Sequence, residues 1–428
     1  MIRSIYVASR LLMLSAVCAF SAQAETLPQY SDDAHLGVAT CASSVCHGSV
    51  RPRSSTAVAQ NEYVIWSRLD RHKNAYKILL GEKSRWIAKN MGLENAHEAQ
   101  VCLDCHADNV PAEKQGSRFQ VNDGVGCEAC HGGSERYLSS HTEAGRSHQD
   151  NIDDGLYPTD RIEDRAKLCL SCHVGDDKKI ASHEIMGAGH PRLSFELDTF
   201  GALQPAHYVL DDDYETRKGV TDEVTVWALG QVEAGNQTLR LIETHLAGDQ
   251  LFPELSLFDC HSCHHPMSDL RWQQQQRIDL PPGSVRINDS SFTMLFPIAQ
   301  LVSPSQAVML EGRVKQLHQT IATKGDVAQA IRELDESLRV MKAAITGFGM
   351  IAEKSGVLLN DVVVLGGEGE FQDYVAAEQA VMAIDLLMNT AGKYEAHEGW
   401  LESLYMAVED EDAFDPYALV KILQTAPF

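Results

Sequence analysis

Positive charge and long apolar runs are both scarce in this sequence of 428 residues. Lysine and arginine number 36 against 60 aspartates and glutamates, so the formal net charge is −24. A surface this acidic argues against nucleic acid as a partner, and it fits either a basic docking partner or an ordinary solvated face. After the N-terminal segment no apolar stretch is long enough to cross a bilayer, so we expect no stable membrane span in the mature chain.

The first 24 residues predict a secretory signal peptide. Arg3 and Arg10 flank its start, residues 11–20 form a short apolar run, and the small residues around Gln23 fit a cleavage site after Ala24. We therefore expect a periplasmic or otherwise exported protein.

Cysteine is absent after residue 263, and its distribution before that point is strongly patterned. Cys18 lies in the predicted signal, and the other ten of the 11 cysteines form five pairs, each followed directly by a histidine. Four pairs have the spacing CxxCH, and the first is the longer C-x4-CH. The five motifs are Cys41, Cys46 and His47; Cys102, Cys105 and His106; Cys127, Cys130 and His131; Cys169, Cys172 and His173; and Cys260, Cys263 and His264.

This pattern predicts covalent attachment of haem c. Two thiols add to the vinyl groups of one haem, and the adjacent histidine binds its iron. A disulfide framework, structural zinc or a thioredoxin-like CxxC would each use cysteine pairs, but none of them explains a histidine after every second cysteine. We therefore predict five covalently bound haems.

A second axial ligand on each iron would favour an electron carrier, whereas an open position would leave room for a substrate. Of the thirteen remaining histidines, His72 has the best local support. Residues 62–80 read as one helix ending at Gly81, and His72 falls on its apolar stripe, so its ring should point inward.

Four other histidines are predicted ligands. His190 precedes Pro191, which restricts its backbone to an extended conformation. His183 lies seven residues earlier, His35 lies six residues before the first motif, and His141 follows the third motif. Weaker candidates are His97, His148, His207, His245, His261 and His265. No catalytic residue can be named.

The order of these motifs resembles the multihaem cytochromes related to the tetrahaem electron acceptor of hydroxylamine oxidoreductase. The resemblance covers roughly residues 35–180 and is carried by three segments: Glu62-x3-Trp66-x5-His72-x2-Ala75, then the second motif, then Gly124-Val125-Gly126-Cys127-x2-Cys130-His131-Gly132 with His141 beyond it.

The resemblance implies that His72 ligates the third haem and His141 the first, that the second haem can lack a distal protein ligand, and that haems stack in close pairs. The chain departs from that family in its C-x4-CH motif and its fifth motif, and segment 183–207 adds histidines that could fill the second haem's open position. It also lacks the CxxCK motif of the related nitrite reductases.

The expected fold is mainly α, in two domains after the signal peptide at residues 1–24. Residues 25–280 should form a pentahaem cytochrome c domain of short helices and long loops around stacked haems. Pro281-Pro282-Gly283 reads as a linker. Residues 284–428 should form a helical bundle, because apolar residues recur at helical spacing between 310 and 345.

The function predicted first is electron transfer between redox partner proteins. The alternative is a haem-based reductase or oxidase of a small nitrogen or sulfur compound at one five-coordinate haem, which would most naturally sit on His106. A third reading is a scaffold subunit of a redox complex. The sequence leaves the partners and any homo-oligomer undetermined.

Overall fold

The computed structural model describes residues 26–54, 58–246, 254–264, 277–280 and 284–428. Within these ranges the protein is mainly α, as predicted, and its β structure is limited to two isolated bridges, His35 with Gln115 and Phe258 with Ile287. The predicted signal peptide and the linker at 281–283 lie outside the described residues.

The first part of the chain consists of short helices joined by long irregular connections. Its α-helices are Val38–Cys41 (α1), Glu62–Leu69 (α2), Ala75–Leu79 (α3), Glu82–Asn90 (α4), Gln100–His106 (α5), Cys127–His131 (α6), Tyr137–Ser140 (α7), His148–Asp153 (α8), Ile162–His173 (α9), His183–Gly187 (α10), Leu197–Leu203 (α11) and Asp212–Lys218 (α12). Short 3-10 helices span Pro28–Tyr30, Arg71–Asn74, Ala112–Lys114 and Val121–Asp123.

The prediction of a single helix over residues 62–80 is wrong. The backbone of Asp70 is extended, with φ −74° and ψ 129°, and it separates α2 from a 3-10 turn and α3. The cause is local, because the Asp70 carboxylate accepts hydrogen bonds from both the backbone N–H and the ring Nδ1 of His72. An aspartate that bonds its neighbouring backbone in this way competes with helix continuation.

The later part contains longer helices that pack together. They are Glu223–His245 (α13), Ser290–Val302 (α14), Pro304–Thr323 (α15), Val327–Phe348 (α16), Ser355–Gly367 (α17), Tyr374–Thr390 (α18), Tyr394–Ala407 (α19) and Pro416–Leu423 (α20). The 3-10 helices here are Leu255–Leu257, Cys260–Ser262, Ile351–Lys354 and Glu411–Ala413. In the described residues no helix is both long enough and apolar enough to span a membrane.

One apolar core unites these longer helices. The predicted stripe of α16 is buried at Leu334, Leu338 and Met341, which confirms its helical period. Helix α13 packs on α14 and α16, and its residues belong to the same core. The core therefore contains residues from both sides of the predicted linker. It includes α13, which we had assigned from sequence to the domain of the haem motifs.

The fifth cysteine motif is attached to this bundle by backbone pairing. Phe258 and Ile287 form an antiparallel bridge, and the N–H of Asp259 donates to the Arg286 carbonyl at 2.9 Å. The motif begins at Cys260, directly after these residues. The bundle therefore fixes the position of the fifth motif.

A buried charged cluster lies next to this attachment. Arg286 and Asp373 are each 5% exposed and Asp289 is 2% exposed. The Arg286 guanidinium lies 2.5 Å from an oxygen of Asp289 and 3.8 Å from one of Asp373. His318 lies 3.4 Å from the other Asp289 oxygen. Burial raises the pKa of Asp373 to about 6, although the nearby Arg286 cation opposes the shift.

Replacing Arg286 with alanine should destabilise the bundle strongly, because it leaves two buried carboxylates without their cation. Removing one partner of a buried ion pair costs about 3–5 kcal/mol. The measurement is urea unfolding of the full chain followed by far-UV circular dichroism. The control is Arg332→Ala on the exposed face of α16, where a change within about 0.5 kcal/mol is expected. Equal unfolding midpoints for the two variants would show that the cluster does not stabilise the fold.

Candidate haem-binding sites

Three of the five motifs lie at the ends of short helices. His106 ends α5, His131 ends α6 and His173 ends α9. Cysteines three residues apart lie on one helix face, about one turn apart. The helix thus presents both thiols and the following histidine toward the same space, which is the arrangement that thioether attachment requires.

None of the ten motif cysteines is joined to another cysteine by a disulfide. Among the described residues, no three His, Cys, Asp or Glu side chains converge in the manner of a single-ion site. The histidines instead lie in pairs.

Each of the five motif histidines faces a second histidine from elsewhere in the chain. The ring-centroid distances are 6.2 Å for His47 with His141, 6.3 Å for His72 with His173, 6.3 Å for His106 with His190, 6.0 Å for His131 with His207 and 6.1 Å for His183 with His264. Their interplanar angles are, in the same order, 14°, 90°, 81°, 89° and 36°.

This spacing fits two imidazoles bound to opposite sides of one metal ion. An imidazole nitrogen bonds a transition metal at about 2.0 Å, and the ring centre lies about 1.1 Å behind it, so two opposed rings should have centres about 6 Å apart. Direct packing of two rings does not require so uniform a distance. The residues present therefore fit haem iron with two histidine ligands.

Hydrogen bonds fix the orientation of five of these rings. In each the Nδ1 atom meets an acceptor: Glu62 for His47 (3.0 Å), Asp70 for His72 (2.9 Å), and the carbonyls of Ala75 for His106 (3.2 Å), Tyr137 for His141 (2.8 Å) and Pro191 for His190 (2.7 Å). A carbonyl oxygen only accepts, so Nδ1 carries the proton and the Nε2 lone pair remains for a metal. Such outer partners commonly orient histidine ligands.

Burial keeps two motif histidines neutral, which is the form that binds a metal. It lowers the pKa of His131 to about 3, with a further contribution from His207. It also lowers the pKa of His173 to about 4, with a contribution from His72. A neutral imidazole has an available lone pair, and metal binding would compensate for its desolvation.

One pairing of rings in the structure differs from the pairing that the family resemblance implies, in which His72 ligates the third haem. His72 faces His173 of the fourth motif, and the third motif's His131 faces His207 instead. His207 had little local support in sequence, because it lies on no apolar stripe and far from the motif that it meets. The sequence gives no local signal for a contact between positions 131 and 207.

His35 is not brought to any motif histidine. Its side chain is fully buried, with Nδ1 2.9 Å from Asp108 and Nε2 3.4 Å from the Pro28 carbonyl. Burial alone would lower its pKa, but the hydrogen bond to Asp108 raises it. Because both ring nitrogens have polar partners, the geometry argues against the ligand role expected from sequence and favours a role in packing the N-terminal segment.

Thiols of different motifs also lie side by side. Cys41 of the first motif contacts Cys127 of the third, and Cys105 of the second contacts Cys172 of the fourth. The buried ammonium of Lys179 lies 3.1 Å from the Cys172 sulfur. The cysteines of the first motif therefore lie next to those of the third, and the cysteines of the second motif lie next to those of the fourth.

The fifth site opens into a large cavity of about 1360 Å³. Its walls include both ring partners, His183 and His264, and both cysteines of the motif. The turn between α15 and α16, around Lys324, forms another wall. This volume exceeds that of most small-molecule pockets and suits a group as large as a porphyrin.

Comparison with known families gives one match. Residues 38–132, which hold the first three motifs, match the family described as cytochrome c554 and c-prime. Neither the curated proteins nor the solved structures gave a significant match. The family match, together with the histidine pairs, supports a multihaem c-type cytochrome with covalently bound haem and a role in electron transfer.

Glu62→Gln should raise the reduction potential of the first haem. A carboxylate acceptor on Nδ1 makes the His47 ring a stronger donor and so stabilises the oxidised iron. The glutamine keeps the shape of the side chain but removes its charge. The preference for oxidised iron should therefore fall by about 1 kcal/mol, which raises the reduction potential by on the order of 40 mV. Redox titration followed by absorbance measures it.

The matched control is Glu82→Gln, an exposed glutamate of α4. If both variants leave every potential at the wild-type value, the hydrogen bond between Glu62 and His47 does not influence the iron.

Proposed function

We propose that this chain is an exported electron-transfer protein that carries five covalently bound haems, each with two histidine ligands. The observation that carries the proposal is the set of five histidine pairs, one for each cysteine motif, all with centroid distances of 6.0–6.3 Å. Bound haem supplies a reversible one-electron change at iron. The polypeptide attaches it, holds both axial rings and limits access of water.

The pairing of His106 with His190 bears on the alternative of a reductase or oxidase. An enzyme of that kind would need an open position on one iron, and the second site was the natural place for it. His190 is oriented by its own hydrogen bond to the Pro191 carbonyl, so its Nε2 is available on the distal side of that site. This geometry supports full ligation there and therefore electron transfer in preference to substrate chemistry.

Oxidised holoprotein should give two kinds of low-spin EPR signal. When the two axial ring planes are nearly parallel, the energies of the iron d orbitals differ and the EPR signal is rhombic. When the planes are perpendicular, two of these energies are nearly equal and the signal is strongly anisotropic. Three pairs have planes 81–90° apart and two have planes 14° and 36° apart. A stoichiometric high-spin ferric signal, or binding of carbon monoxide to the reduced protein, would contradict full ligation.

His207→Ala should convert one low-spin haem to high spin while all five haems remain attached, because only the distal ligand of the third site is lost. Intact mass gives the haem count, and EPR with spin quantification gives the spin state. The control is His148→Ala, since His148 bonds Asp160 through Nε2 and faces no motif histidine. An unchanged spin state in the His207 variant would show that this ring does not ligate iron.

A further inference from the structure

The charge of this protein is distributed very unevenly. Residues 51–89 contain nine lysines and arginines against three acidic residues, a net charge of +6 in a chain whose total is −24. The bundle segment 284–428 is the opposite, with ten basic and 21 acidic residues. We call the described residues of this segment, 51–54 and 58–89, the basic face.

The positive charge that the basic face presents to solvent is greater than its net charge suggests. Two of its three acids point inward, Glu62 to the ring of His47 and Asp70 to the ring of His72. Eight of its nine cations are exposed: Arg51, Arg53, Arg68, Arg71, Lys77, Lys83, Arg85 and Lys89. Within the described ranges no salt bridge involves any of the nine, so no acidic side chain neutralises their charge. Arg53, Lys73 and Arg85 donate to backbone carbonyls, which carry no net charge.

The basic face also covers several proposed haem ligands. Glu62 orients His47, and the carbonyl of Ala75 in α3 accepts from His106. His72 is itself part of the face. Trp86 in α4 packs against Gly189, next to His190. Three of the five histidine pairs therefore contact these residues or include one of them, so a partner docked on the basic face would approach three of the proposed redox sites.

We propose that the basic face is the docking surface for an acidic one-electron carrier protein. The inference deepens the proposed function by assigning a partner to one surface of it. Opposite charge on the partner would steer association, even though the chain as a whole would repel an acidic protein. An electron carrier fits better than a lipid surface, because the cations surround redox-site residues and a lipid exchanges no electrons.

The test uses a reduced acidic plant-type ferredoxin as the probe. We expect its binding to the holoprotein, measured by calorimetry, and its electron transfer, measured by stopped-flow absorbance, to weaken steeply as salt increases. Lys77→Glu, Lys83→Glu and Lys89→Glu combined should lower both the affinity and the association rate at low salt by about tenfold. A basic monohaem cytochrome c should show no such loss.

The control variant reverses three exposed cations of the bundle: Arg332→Glu, Lys354→Glu and Lys421→Glu. It changes the net charge equally, so only local charge on the basic face can explain a difference. Haem content and spin state are recorded for each sample, which separates failure of this proposal from failure of the haem assignment.

Three results would overturn the proposal. The first is equal loss in both triple variants, because net charge alone would then control docking. The second is a low-salt dimer of the holoprotein that the basic-face variant abolishes, which would assign the face to a second copy of this chain. The third is binding to phosphatidylglycerol vesicles that the same variant abolishes, with ferredoxin binding unchanged.

Discussion

Two imidazole rings that share one iron must face each other with their centres about 6 Å apart, and five histidine pairs of this molecule meet that requirement. Each motif places one ring at a helix end or short turn, and a distant segment must supply the other. Short helices and irregular connections suit this task, because they can deliver rings from many directions. Long regular helices would restrict those directions.

Hydrogen bonds to the Nδ1 atoms of the histidine rings make the orientation of these rings specific. His141 donates to the carbonyl of Tyr137, four residues earlier, whereas His47 reaches a carboxylate fifteen residues away on α2. These partners fix which ring nitrogen is free. They also differ in charge, so the polypeptide can give its sites different potentials without changing the ligand type.

The proximal half of each site could be predicted from sequence, because CxxCH is a local chemical unit. The bundle helices could be predicted too, since stripes such as Leu334 to Ile345 follow one helical period. The partner of each motif histidine could not, because a contact between positions as distant as 72 and 173 leaves no local pattern. Asp70 also interrupts a helix for a reason that only its contact with His72 makes visible.

Overall composition does not reveal the uneven distribution of charge on which the proposed docking surface depends. A net charge of −24 suggests a basic partner, yet the basic face, whose residues contact three of the histidine pairs, carries exposed cations. Association depends on the potential near the docking patch more than on the total charge, since salt screens charges beyond about 8 Å. The acidic bundle and the basic face can therefore meet different partners.

The central claim is that every iron is held between two histidines. Iron X-ray absorption of the fully oxidised holoprotein tests it directly, because it reports the average number and type of atoms bound to the metal. Our account predicts six nitrogen neighbours per iron at about 2.0 Å. An average below six, or a sulfur neighbour from methionine or cysteine, would contradict it.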